Sequence, residues 1–434
     1  MTPGINRRSL LKGTAGAAAL GAASTVFSAP SLISAQGSNT EITLWTAFGS
    51  GVNGETQAKL IEDYNAQGNG VTVTSSIYPS YEELGNAVLT GMPSGDIPHV
   101  AVFSEVWWPM LYLRNALVDL TDLVDTPEDY QEQLFAEYQR NGGQWAVPFA
   151  RSTPLFYFNR TALDAAGLDE SIFATWESFR ENGPALVEAG GLAAAFGFGS
   201  AANYGAWFLH GPVWAFGGNY SDEEFNVLID EGGAVECGEF MREFVQSYGG
   251  AAVNDVSADF NTGSLGAVIQ STGSLGGITA GAQMDFGTAM LPEGPVGFGC
   301  PTGGSGMSVL ADSSEEEIAA AMDYITFCTN TENATNWAMK TGYMPVRNSA
   351  RESAEFQAFL EEHPNNRTAI EQLPKTQMQD PIRPWVPNGD VIIGNGWEQI
   401  LVNNVPAAEV FAEVAAELEQ EKEPVLEALA AIEG

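Results

Sequence analysis

The feature that most constrains this chain is an alternation of strand and helix patterns that begins at residue 41. Strand-like runs cover 41–45, 71–77 and 99–103, and two helical patterns, at about 54–67 and 81–89, separate them. Strands that alternate with helices in this way form a parallel sheet whose faces the helices cover. We therefore predict an α/β fold.

The remainder of the chain continues the mixture of strands and helices and has no short-period repeat. The roughly 400 residues that follow the N-terminal segment are too many for one ordinary core, which predicts two domains. A helix-rich region covers about 162–245. Later strand-like runs and helical patterns lie at about 267–270, 287–291, 314–328, 331–340, 353–363 and 407–432.

Residues 1–36 have the composition of a signal peptide. Arg7, Arg8 and Lys12 precede a small-residue apolar stretch that extends to about residue 33, and Ser34-Ala35-Gln36 is typical of a cleavage site. The paired arginines indicate export by the twin-arginine pathway. The alternative is a membrane anchor, but the stretch is rich in Ala and Gly and short for a spanning helix. We expect the mature protein in the periplasm or at the extracellular face of the membrane.

The charge of the chain excludes several classes of partner. After residue 36 there remain 14 basic and 55 acidic residues, which is a formal charge of −41. Such a charge repels nucleic acid and anionic lipid at long range, so we expect no nucleic-acid partner. We interpret the charge as a solvated acidic surface suited to a salty medium.

The cysteines and histidines form no recognisable reactive pattern. Cys237, Cys300 and Cys328 fit no zinc spacing, and an exported protein can join two of them and leave one thiol. The three histidines are isolated in sequence, and there is no HExxH, Walker or EF-hand motif. We predict no metal, no cofactor and no catalytic residue.

A glycine-rich loop at 49–54 matches the GxGxxG pattern of a dinucleotide site, between a strand and a helix. The acid expected after the second strand is missing, because the chain reads SSIYPS at 75–80. We therefore interpret the loop as one whose amides face a cleft at a helix N-terminus.

Several stretches, in their order and spacing, resemble one protein family. They are 148–159 (PFARSTPLFYFN), 162–168, 271–275, 290–292, 333–337 and 340–346. Together they resemble the extracellular solute-binding proteins of carbohydrate-type ABC importers. The resemblance covers nearly the whole chain after the signal, and it is greatest to members that bind sn-glycerol 3-phosphate and glycerophosphodiesters.

The resemblance implies a two-lobed α/β fold in which each lobe is a mostly parallel sheet with flanking helices. Residues 38–150 and 265–311 would form lobe 1, and residues 155–262 and 315–434 would form lobe 2. The chain would cross between the lobes near residues 150, 263 and 312. A ligand would bind between the lobes, and a hinge would close them around it.

Two features support a polyol site in that cleft. Glu105 follows the strand at 99–103, and the carboxyl ends of parallel strands face the ligand crevice. The resemblance gives Glu105 the role of accepting hydrogen bonds from glycerol hydroxyls. It also implies an aromatic plate under the glycerol, for which Tyr204 and Trp207 are alternatives.

The resemblance carries over further ligand contacts that suit phosphate oxygens. Hydroxyls and backbone amides donate hydrogen bonds to such oxygens. The residues are Tyr81, Ser152, Ser271, Gly304 and Tyr343.

One departure from the family concerns the arginine that holds phosphate. Its counterpart falls within residues 389–394, which contain no arginine. Arg151 and Arg383 are possible substitutes, and we prefer Arg151 because it precedes Ser152. The alternative for Arg151 is a salt bridge across the lobes. If neither arginine faces the cleft, a neutral sugar or polyol becomes the better ligand.

These observations lead to three hypotheses for function. The first is a binding protein, without catalysis, that captures a phosphorylated glycerol and delivers it to the membrane permease of an ABC importer; we expect it to be a monomer. The second is a binder of a neutral mono- or oligosaccharide or polyol. The third is a secreted carbohydrate-active enzyme that uses two carboxylates. The sequence identifies no such acid pair.

Overall fold

The computed structural model describes residues 39–199, 204–247, 249–253 and 256–434. The predicted signal peptide, residues 1–36, lies outside the described residues. Among the described helices, none combines the length and apolar character needed to cross a bilayer.

Twelve strands are formed by the described residues. They are β1 (Thr40–Thr46), β2 (Val71–Ile77), β3 (Val100–Ser104), β4 (Gln139–Arg140), β5 (Gly143–Gln144), β6 (Val147–Ser152), β7 (Pro154–Asn159), β8 (Ala194–Gly199), β9 (Gly250–Val253), β10 (Leu265–Ser271), β11 (Phe286–Ala289) and β12 (Gly303–Val309).

Eighteen α-helices accompany these strands within the described ranges. They are α1 (Gly51–Asn65), α2 (Tyr81–Gly91), α3 (Trp108–Tyr112), α4 (Glu132–Ala136), α5 (Arg160–Ala166), α6 (Trp176–Gly190), α7 (Gly205–Ala215), α8 (Gly232–Ser247), α9 (Val256–Asn261), α10 (Leu275–Gly281), α11 (Glu315–Thr329), α12 (Thr331–Thr341), α13 (Asn348–Arg351), α14 (Ala354–Glu362), α15 (Pro364–Gln372), α16 (Ile382–Trp385), α17 (Gly389–Leu401) and α18 (Ala407–Glu433).

The first large sheet has the strand order β2-β1-β3-β12-β6. β2, β1 and β3 are parallel, β12 is antiparallel to β3, and β6 is antiparallel to β12, so four of the five strands point the same way. Every residue of β3 is buried, as expected for a central strand covered on both faces. This sheet is the framework of lobe 1.

The second large sheet has the order β11-β7-β10-β8-β9 and is the framework of lobe 2. β10, β8 and β9 are parallel, and β7 is antiparallel to both β10 and β11, so only β7 is reversed. The two sheets thus have the same arrangement of one reversed strand among five. The predicted two-lobed α/β fold, with mostly parallel sheets, is confirmed.

A single residue separates the two sheets along the chain at one point. β6 ends at Ser152 in the first sheet, and β7 begins at Pro154 in the second. Thr153, between them, is fully buried, and its carbonyl oxygen accepts a hydrogen bond of 3.0 Å from the Thr272 amide. This link brings the carboxyl end of β6 against the carboxyl end of β10.

Two assignments to lobes differ from the expectation. β10 and β11 belong to the second sheet, whereas residues 265–311 were expected in lobe 1 as a whole. α11 packs on β1 of the first sheet and α12 packs on α1, although residues 315–434 were expected in lobe 2. The chain therefore does not change sheets at 263 or 312. Strand and helix patterns do not show which of two buried sheets an element joins.

Helix ends position two aromatic side chains of lobe 1. The Ser80 hydroxyl accepts a hydrogen bond from the Glu83 amide and caps α2, so Tyr81 is its first residue. α12 ends at Thr341 and is capped by Gly342, whose φ of 89° is a left-handed conformation that glycine adopts without steric cost. Tyr343 follows directly after that turn.

The three cysteines form no disulfide. Cys237, Cys300 and Cys328 are all buried with free thiols. Burial raises the pKa of each thiol, because a thiolate loses its hydration in an apolar environment. The disulfide that the sequence allowed is not formed.

We expect the thiols to be unreactive until the protein unfolds, because all three are buried and protonated. Titration with a thiol reagent should detect none in the native protein and three in denaturant. The midpoint of thermal unfolding should be the same with and without reductant. A cross-linked cysteine peptide in a non-reduced digest would contradict this.

Candidate functional site

Nine of the ten predicted ligand-binding residues line one cleft of about 270 Å³. Its walls come from strand ends and helix starts of both lobes, as expected for parallel strands that end at a common crevice. The nine residues are Tyr81, Glu105, Ser152, Tyr204, Trp207, Ser271, Gly304, Tyr343 and Arg383.

The backbone around Gly304 fixes the position of Glu105. Gly304 has a φ of 96°, and a Cβ there would lie 2.2 Å from the Ala150 carbonyl oxygen, so only glycine fits. The Gly304 carbonyl oxygen accepts a hydrogen bond of 3.2 Å from the Glu105 amide. This hydrogen bond joins β12 to Glu105, the residue that follows β3, at the wall of the cleft.

A cluster of aromatic side chains forms one side of the cleft. The rings of Trp337 and Tyr343 are stacked, with centroids 5.9 Å apart and planes at 19°. Phe48 contacts both Tyr81 and Tyr343 edge-on, at 6.1 and 5.9 Å. Burial raises the pKa of the Tyr81 and Tyr343 hydroxyls, so both remain protonated hydrogen-bond donors.

Tyr204 and Trp207 contribute the facing aromatic surface from the start of α7. Tyr204 has a φ of 61°, an unusual backbone conformation for an aromatic residue, of the kind that clusters at functional sites. The Trp207 indole donates a hydrogen bond of 3.0 Å to the Thr302 carbonyl oxygen, which fixes the ring. Both of the proposed alternatives for the aromatic plate therefore line the cleft.

Arg383 is the only guanidinium among the described residues that line the cleft, and carboxylates surround it. Its Nη1 lies 3.0 Å from Glu105 Oε1, and its Nε lies 2.6 Å from Asp390 Oδ1. Nη1 also donates to the side-chain oxygen of Gln379. Burial opposes the charge on Arg383, but Asp390 and Glu105 outweigh it and raise the pKa of the guanidinium.

The lining of the cleft carries more negative than positive charge. Glu82, Glu105 and Asp390 face one guanidinium, that of Arg383, which gives a formal charge of −2 among the described lining residues. Asp390 and Glu82 were not expected from the sequence. Asp390 lies in the segment where the resemblance places the family arginine, and no local pattern indicates that it reaches Arg383.

Arg151 does not line the cleft, in contrast to the preferred expectation. It is fully buried, forms an ion pair with Glu137, and donates a hydrogen bond of 2.7 Å from Nη1 to the Tyr138 hydroxyl. Burial lowers the pKa of Arg151 to about 10. The backbone of Arg151 does serve the site, because its carbonyl oxygen accepts a hydrogen bond from Met344, next to Tyr343.

The glycine-rich loop at 49–54 reaches the cleft through one side chain. Asn53 lines it and donates a hydrogen bond of 3.2 Å from Nδ2 to the Gly273 carbonyl oxygen, which joins α1 to the turn after β10. Within the described residues, no three His, Cys, Asp or Glu side chains are arranged to hold a metal ion.

Comparison with known proteins gives a consistent set of relatives. Residues 59–366 match the family described as bacterial extracellular solute-binding protein. The sn-glycerol-3-phosphate-binding periplasmic protein UgpB of Escherichia coli K12 is 25% identical over 357 residues, which cover 77% of this chain and 80% of that protein.

Solved structures agree with this result. UgpB from Mycobacterium tuberculosis, in complex with glycerophosphocholine, has a TM-score of 0.83 and 36% identity, and the match covers 89% of this chain and 98% of that one. The GacH receptor of Streptomyces glaucescens shares the fold at a TM-score of 0.78 and 18% identity, covering 89% of this chain and 99% of that one.

Arg151 should contribute to stability through its buried pair with Glu137. Replacement of Arg151 by Ala leaves a buried carboxylate without its partner, and we expect a loss of about 3–5 kcal/mol in the free energy of unfolding. The double variant Arg151→Met, Glu137→Leu should recover most of this loss, because it removes both charges together.

Urea unfolding measures these changes. The matched control is Arg367→Ala, which breaks the exposed pair with Glu361 and should cost less than about 1 kcal/mol. Equal effects of Arg151→Ala and Arg367→Ala would show that the buried pair has no special role.

Proposed function

We propose that this chain, which belongs to the bacterial extracellular solute-binding proteins, is the substrate-binding component of an ABC importer. Its ligand is a glycerophosphodiester or sn-glycerol 3-phosphate. The observation that carries the proposal is the convergence of nine expected contact residues on one cleft between the lobes. The two UgpB relatives, one of them bound to glycerophosphocholine, support the same class of ligand.

The chemistry of the cleft suits both halves of such a ligand. Glu105 can accept hydrogen bonds from glycerol hydroxyls on the oxygen that is not held by Arg383, and Trp207 offers an apolar face. Ser152, Ser271 and the Gly304 amide can donate to phosphate oxygens. Arg383 supplies the positive charge within reach of the same space.

The excess of carboxylates favours a phosphodiester over a phosphomonoester. A monoester carries nearly two negative charges at pH 7, with a second pKa near 6, whereas a diester carries one. Because Arg383 is already neutralised by Glu105 and Asp390, a second charge on the ligand has no counter-ion among the described lining residues. A cationic head group on the diester would also find favourable charges here.

Titration calorimetry can test this preference. At pH 7.5 we expect glycerophosphocholine to bind more tightly than sn-glycerol 3-phosphate. At pH 5.5 the monoester loses a charge, so the difference should become smaller. Asp390→Asn should improve affinity for the monoester at pH 7.5 by about 5-fold or more, because one repelling charge is removed.

Asp63→Asn, on the exposed surface of α1, is the matched control and should leave both affinities unchanged. Binding of maltose with no binding of either phosphate ester would refute the proposed ligand class. That result would instead support the neutral sugar or polyol binder, which the tryptophan and the carboxylates of the cleft also suit.

We propose a binding role without catalysis. A ligand that contacts both lobes favours their closure, because it binds the closed state better than the open one. The closed form would then deliver its ligand to a membrane permease. Hydrolysis of glycerophosphocholine by the purified protein would contradict this role and favour the enzyme hypothesis.

We propose further that the protein reaches the outside of the membrane by the twin-arginine pathway. The support is the sequence of residues 1–36, with Arg7 and Arg8 before the apolar stretch. The double variant Arg7→Lys, Arg8→Lys should accumulate inside the cell with its signal uncleaved, as measured by fractionation. Lys12→Arg, the control, should be exported normally; export of the double variant would exclude this route.

A further inference from the structure

Two side chains of lobe 1 meet one carboxylate of lobe 2 outside the ligand cleft. Arg140 in β4 forms a two-pronged ion pair with Glu433 in α18, from Nε to Oε1 at 2.6 Å and from Nη2 to Oε2 at 2.9 Å. The Tyr112 hydroxyl donates a further hydrogen bond of 3.1 Å to Glu433 Oε1. We name Tyr112, Arg140 and Glu433 the interlobe bridge.

Each side of the interlobe bridge is fixed to its own sheet. The Trp145 indole donates a hydrogen bond of 3.0 Å to the Arg140 carbonyl oxygen. The Trp145 carbonyl oxygen accepts one of 3.0 Å from the hydroxyl of Ser308, which lies on β12 of the first sheet. On the other side, α18 packs on α8, and α8 packs on β9 of the second sheet. The bridge therefore connects the two lobes and not two parts of one lobe.

Aromatic contacts accompany the ion pair across the same boundary. Trp385 in α16 packs edge-on against Trp108 and Tyr112 of α3, with ring centroids 5.1 and 5.8 Å apart. The Arg140 guanidinium lies over the Trp385 ring, 5.0 Å from its centroid. Charge and aromatic packing together hold the lobes side by side here.

The exposure of the pair suits a contact that opens and closes. The side chains of Arg140 and Glu433 are 34% and 22% exposed, so water can solvate both charges when the pair separates. The pair of Arg151 and Glu137, at 0% and 7%, would instead leave buried charges without partners. The hydrogen bond from Arg140 also lowers the pKa of Glu433, which keeps the carboxylate ionised for the pair.

We propose that the interlobe bridge is a latch, which forms as the lobes close and slows the release of the ligand. This inference rests on the proposed function, because a latch has a role only if the lobes close on a ligand. A contact made only in the closed state stabilises that state and so raises the affinity for ligand. Because the ligand enters before the latch forms, the gain appears in the dissociation rate.

The test measures the dissociation rate of glycerophosphocholine by stopped flow in the full-length mature protein. Glu433→Gln keeps the size of the side chain but removes its charge, and the rate should rise by about 5-fold. Glu433→Arg places two like charges together and should raise the rate further. The charge swap Arg140→Glu, Glu433→Arg should return the rate most of the way to the wild-type value. The association rate should be unchanged in all of them.

The matched control is Glu170→Gln, which removes an exposed ion pair whose partner, Arg160, belongs to the same lobe. It should leave the dissociation rate unchanged. The thermal midpoint of each ligand-free variant is also measured. A latch that forms on closure leaves this midpoint unchanged, whereas a bridge that only holds the fold together lowers it.

The outcomes separate the latch from the proposed ligand. A wild-type dissociation rate in Glu433→Gln would overturn the latch and leave the proposed function intact. Faster release that the charge swap does not reverse, with a lower midpoint of the free protein, would also overturn it. If the wild-type protein binds maltose and neither phosphate ester, the proposed ligand is wrong. The same variants measured with maltose would then support the latch by faster release or overturn it by an unchanged rate.

Discussion

The one-residue link between the two sheets is the constraint on which the site depends. With only Thr153 between β6 and β7, the carboxyl end of one sheet cannot move away from the second sheet. The buried Thr153 accepts hydrogen bonds on both its carbonyl oxygen, from Thr272, and its hydroxyl, from Gln372. Ser152 and Ser271 are consequently neighbours at the cleft, although 119 positions separate them in the sequence.

Charge decides what this cleft can hold. The chain has a formal charge of −38. Among the described residues that line the cleft, one arginine supplies the positive charge, and that arginine has two carboxylate partners. A buried guanidinium needs such partners, because its own desolvation is costly. The same partners then limit the charge that a ligand can bring. Neutral donors, namely hydroxyls and backbone amides, can bind an anion without that limit, and the cleft supplies several of them.

The sequence predicted the class of fold and most of the cleft, but not the pairing of its charges. β2 was predicted with its observed bounds, and Glu105 was expected at a strand end, because local periodicity and strand order suffice for both. The place of Arg151 could not be predicted, because strand residues alternate between faces and β6 has an irregularity opposite Ser305. Asp390 reaches Arg383 only after α16 and α17 pack, which no local pattern encodes.

The serines at the two strand ends and the paired arginine together suggest how binding and closure are coupled. Ser152 ends β6 in lobe 1, Ser271 ends β10 in lobe 2, and both line the cleft. A phosphate that accepts hydrogen bonds from both serines is better bound when the lobes are closed. Arg383 already has two carboxylate partners in the free protein, so it gains less from an anionic ligand than a neutral donor does. The free energy that favours closure would then come mainly from hydroxyls and backbone amides.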